Sequence, residues 1–64
     1  MEKVKIGFNA GEFAIRLICV YGENERFSHL KAVKNCPNCQ ITVESMDSET
    51  VLDAFSRWTK ELSL

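Results

Sequence analysis

No stretch of this 64-residue sequence holds the roughly 20 consecutive apolar side chains that a membrane-crossing helix requires. The longest apolar run, Leu17-Ile18-Cys19-Val20-Tyr21, has the length of a strand. With one histidine, no glycine-rich phosphate loop and no Ser-His-Asp spacing, the sequence offers no nucleophile with a base beside it. A non-enzymatic role is therefore expected. The first residues, Met1 to Lys5, lack the long apolar region of a secretory signal, so a cytoplasmic location is expected. The cysteine count is odd, at three. Secreted mini-proteins carry even sets that close disulfides, whereas a cytosolic Cys-x-x-Cys pair reads first as metal-binding or redox. A net charge of −1 gives no support to general binding of nucleic acid or membrane surfaces.

What is present suits one globular domain over residues 1–64, with 45% apolar and 27% charged residues. A chain of this length buries only about 60% of its unfolded surface, which makes its core marginal unless something staples it. Charge is unevenly spread. Residues 1–35 hold six Lys/Arg against four Glu, and residues 36–64 hold two against five Asp/Glu.

The chain is organised around its last stretch. Val51, Leu52, Phe55, Trp58 and Leu62 recur at helical spacing and form one apolar stripe. Asp47 is placed to cap the first turn, and Met46 to pack on Val51 across the cap. A helix carrying Phe55 and Trp58 on one face needs a cover from upstream. Lys3 to Phe8 alternates, with Val4, Ile6 and Phe8 on one face of a strand. Asn9 to Glu12 reads as a turn. Phe13 to Tyr21 reads as a second, central strand covered on both sides, with Phe13, Ile15, Leu17 and Cys19 on one face and Ala14, Ile18 and Val20 making the other mildly apolar. Gly22 to Arg26 is a polar break. Phe27 to Lys34 fits a short helical turn or a strand; a short helix or irregular piece leading into an extended segment is the expectation. Asn35 to Cys39 is a tight turn around Pro37, and Gln40 to Glu44 is a further strand. The predicted fold is α+β: a small antiparallel sheet of three or four strands, opened by an N-terminal hairpin, with one C-terminal helix over the Phe13/Ile15/Leu17 side.

Cys36-Pro37-Asn38-Cys39 is the most chemical feature, because two thiolates two residues apart on a tight turn can grip one Zn²⁺ at tetrahedral angles. At this point the stretch from Leu17 to Val43 resembles the small zinc-ribbon proteins of phage and prokaryotic type. Their pattern of strand, Cys-x-x-Cys knuckle, hairpin, Cys-Pro-x-Cys knuckle and strand is similar to Cys19 to Gly22 followed by Cys36 to Cys39, and a C-terminal helix after the second knuckle adds to the likeness. The sequence departs from that pattern where Gly22, or Arg16, stands opposite Cys19, and where Gln40 follows the second knuckle. What the resemblance implies is a zinc site, with Cys19, His29, Cys36 and Cys39 as its four ligands. The alternatives are a degenerate, metal-free ribbon that leans on its helix instead, and a redox pair or a disulfide at Cys36 and Cys39.

Three functions are compatible with these features. The first is a small interaction module that binds a larger protein, as accessory or inhibitor, through the acidic set Glu44, Asp47, Glu49 and Asp53; much of that charge also suits a helix N-terminus. The second is a zinc ribbon that binds nucleic acid through Arg16, Arg26, Lys31 and Lys34. The third is a thiol redox protein using Cys36 and Cys39, although a strand rather than a helix follows the pair, so no helix dipole is there to lower a thiol pKa.

Overall fold

The computed structural model describes residues 1–62. Four strands, β1 (Glu2–Ala10), β2 (Phe13–Tyr21), β3 (Phe27–Cys36) and β4 (Cys39–Ser45), precede one helix, α1 (Ser48–Leu62). They form a single antiparallel sheet in sequence order, β1-β2-β3-β4. This is the expected α+β architecture, with four strands.

Each connection follows from its residues. Gly11 turns the β1–β2 hairpin with φ +61°, and Glu12 keeps a negative φ, the pattern of a II′ turn, which matches strand twist. The break after β2 holds a 3-10 turn at Glu23–Glu25, where Asn24 and Glu25 both take positive φ. Residues 27–36 form one continuous strand rather than the expected helical piece. Local sequence left that choice open, and pairing decides it, because β3 is hydrogen-bonded on both sides, to β2 and to β4.

Residues opposite one another in an antiparallel pair share a face, so the register assigns every side chain. Ile15 and Leu17 of β2 stand beside Lys34 and Ala32 of β3, which stand beside Ile41 and Val43 of β4. The helix lies over this face, packing on β3 with β4 and β2 on either side. Ile15, Leu17, Leu30, Ala32, Val51, Ala54 and Trp58 form the core, with Cys19, Val43, Phe55 and Leu62 partly buried against it. The helix stripe is therefore close to the expected one, except that Ala54 is buried and Leu52 is largely exposed. The opposite face, bearing Ala14, Ile18 and Val20, has no covering element among the described residues, so β2 is central in the sheet but covered on one side only.

Asp47 caps α1 as expected. Its Oδ1 accepts the Glu49 N–H at 3.2 Å and its Oδ2 accepts the Thr50 hydroxyl at 3.0 Å. The expected staple from Met46 to Val51 is not formed as a buried contact; Met46 is 75% exposed, and the sheet covers Val51 instead.

Lys34 occupies a core-facing row between Ile15 and Ile41. It fits there because its stem runs along Trp58, with Nζ 5.8 Å from the ring centroid, and its ammonium reaches Glu61 at 3.5 Å.

Candidate functional site

The four residues expected to hold zinc do not come together. Cys36 and Cys39 face each other across the β3–β4 turn and are joined as a disulfide, with Cα atoms 4.9 Å apart. Cys19 sits inside β2, paired with Leu30, and its thiol is free and half-buried on the helix side. His29 pairs with Val20, which puts it on the opposite face of the sheet. Between Leu30 and Cys36 the strand runs about 20 Å at the usual strand rise, so the two halves of the expected site lie at opposite ends of β3. No cluster of three or more metal-ligating side chains forms among the described residues.

The acidic set is likewise divided. Glu44 lies on the open face of the sheet, opposite Lys31. Asp47 is engaged in the cap, and Asp53 pairs with Arg57 at 3.5 Å. Glu49 alone of the four has no side-chain partner among the described residues. The basic set is split by strand parity. Arg16 and Lys31 are on the open face, Lys34 is on the helix face, and Arg26 is in the loop before β3. Arg16 is held by Asn9 Oδ1 (3.1 Å) and by the Phe8 and Ile15 carbonyls, and it arches over Gly7, where a side chain would meet it. Lys31 is held by Glu2 at 2.5 Å.

The open face carries a hydrogen-bonded chain that spacing could not reveal. Ser28 Oγ lies 2.8 Å from His29 Nδ1, and His29 Nε2 lies 2.5 Å from Glu44 Oε2. Nε2–H donates to the carboxylate, and Nδ1 faces the Ser28 hydroxyl. Ser28 reaches its neighbour because the β2–β3 register shifts there: Val20 pairs with His29, while Tyr21 pairs with Phe27. The hydrogen bond from His29 is the chief reason the Glu44 carboxyl sits below its ordinary pKa; desolvation opposes it, and the charges of His29 and Lys31 add to it. No pocket opens over this chain or elsewhere among the described residues. Through His29 and Glu44 the hydrogen-bonded chain ties β3 to β4.

An apolar strip is left exposed beside the helix. On β1, Ile6 pairs with Leu17 and Phe8 with Ile15, so both point to the helix side of the sheet. Yet they are 45% and 36% exposed, and neighbouring Phe13 is also 36% exposed. The reason is width. A helix is about 10 Å across and strands are about 4.8 Å apart, so one helix covers about two or three strands, not four. Here it lies over β2, β3 and β4, and β1 is left out. Sequence alternation identified Ile6 and Phe8 as one face but could not say which strand the helix would miss. It also placed Val4 with them. The register shift between Val4 and Ile6 makes Lys5 an extra residue and turns Val4 to the open face, opposite Ile18.

Comparison with protein-family models, curated proteins and solved structures finds no match for the chain.

Proposed function

We propose that this chain is a small non-enzymatic interaction module that binds a larger protein, as an accessory or inhibitor, along its β1 edge. The observation that carries the reading is the row Ile6, Phe8 and Phe13, apolar, core-facing in register and left uncovered beside the helix. Contiguous exposed apolar side chains of this kind mark interaction surfaces more often than isolated ones do. The same strand is nine residues long and forms one edge of the sheet, so its outer backbone groups are open to an added strand. Main-chain pairing would supply affinity, and Ile6 and Phe8 would supply the apolar anchors. The acidic set lies away from this strip, with Glu44 on β4 at the other edge of the sheet, and three of its four members are already engaged within the chain, Glu44 by His29, Asp47 as the cap and Asp53 by Arg57.

The test is affinity capture from the source cell with wild-type protein beside Ile6→Lys and Phe8→Glu, each first shown to be folded by circular dichroism. A partner held by wild type and lost by both variants supports the reading. Capture that survives both substitutions overturns it.

A further inference from the structure

We infer that Cys36 and Cys39 form a thiol–disulfide exchange site, open to thiolates at the tip of the β3–β4 hairpin, rather than a staple of the fold. The pair closes a loop of only two residues, Pro37 and Asn38. Stabilisation by a cross-link grows with the length of chain it closes, so this position is among the least useful for stability. The hairpin is held without it: β3 and β4 stay in register from Asn35–Gln40 to Leu30–Ser45. None of the core side chains belongs to the turn.

Exposure differs between the two cysteines in a way that assigns their roles. Pro37, Asn38 and Cys39 are exposed, whereas Cys36 is half-buried. An incoming thiolate therefore attacks Cys39 Sγ. The Sγ–Sγ bond breaks, a mixed disulfide forms on Cys39, and Cys36 leaves as the thiolate. With a dithiol substrate, its second thiolate then attacks the substrate sulfur of the mixed disulfide and releases Cys39. The substrate departs as a disulfide, and Cys36 and Cys39 keep the two electrons and, on protonation, two protons. The substrate class is an exposed dithiol, small or on a protein. Cys19 takes no part, being half-buried on the helix side at the far end of β2.

The turn gives the exchange a consequence. Proline at the first turn position fixes a negative φ, which excludes the I′ and II′ turns whose twist matches paired strands. The disulfide clasps this poorly matched turn only at its tip, and reduction loosens the tip while the paired strands remain.

This site is independent of the β1 surface and is tested separately. Native protein is exposed briefly to glutathione, quenched with iodoacetamide and mapped by mass spectrometry, with near-ultraviolet circular dichroism recorded before and after full reduction. The expected result is glutathione on Cys39, carbamidomethyl on Cys36, and reduction in the native state within about tenfold of its rate in urea. The folded signal should persist after reduction, and a Cys36→Ser, Cys39→Ser double variant should also fold. Reduction that requires unfolding, a first adduct on Cys36, or loss of fold in the double variant would overturn the assignment.

Discussion

Val51 and Leu52 are neighbours on one helix, of similar chemistry, and the structure assigns them opposite fates. Val51 is completely buried against the sheet, while Leu52 is 44% exposed. Changing Val51 to alanine removes two carbons from the core, a transfer loss of about 1.6 kcal/mol at about 0.8 kcal/mol each. The space left between α1 and the sheet raises this to about 2 kcal/mol. Domains of this size have a total stability of roughly 3–10 kcal/mol, so the loss is large, and it lowers the melting temperature by about 8–16 °C. Leu52→Ala removes more atoms but from a site already half in water, and alanine is the better helix former, so its cost stays within about 0.5 kcal/mol. Urea unfolding followed by the fluorescence of Trp58, the single tryptophan, measures both, with unchanged slopes confirming a two-state comparison. Equal losses for the two variants would mean the helix is turned about its axis. Two neutral variants would mean it does not dock at all.

Asp47→Ala should cost about 1 kcal/mol in the same assay, since it leaves the Glu49 amide without its cap, whereas Asp47→Asn should cost little. The folded-state carboxyl of Glu44 lies below its usual value near 4.5, so its contribution is present above that value and is lost as pH falls through the lowered one. Glu44→Gln should therefore flatten the acid limb of the stability profile, with the variant and wild type converging at low pH; parallel limbs would count against the His29 contact. Replacing Cys36 and Cys39 by serine closes no loop in the unfolded chain and should cost about 2 kcal/mol at most by chain entropy, leaving a cooperative transition.

The legible part of the fold was the part in which local pattern and packing agree. The helix could be read because its cap, its stripe and its length are all set within residues 46–62. The N-terminal hairpin could be read because alternation and a glycine turn coincide. Residues 27–34 were ambiguous for a physical reason: the same side chains serve a helical turn or a strand until β2 and β4 pair with them. The candidate site was much less legible. The zinc-ribbon resemblance grouped Cys19 and His29 with Cys36 and Cys39, but strand parity sends Cys19 and His29 to opposite faces, and strand rise separates them from the turn. Parity also divides Lys31 from Lys34 and Glu44 from the helix acids. Four strands under one helix must leave a strand uncovered, and a nine-residue strand with Ile6 and Phe8 on one face is where such a gap becomes a surface.

The most direct test of that surface is site-specific photocrosslinking in the source cell, with the crosslinker at Phe8 and, in a parallel protein, at Thr42. Phe8 lies on the uncovered strip, and Thr42 lies on the other face of the sheet, opposite Val33. The account predicts a discrete crosslink to one larger protein from position 8 and none from position 42. A crosslink from position 42 alone, or none from position 8, would contradict it.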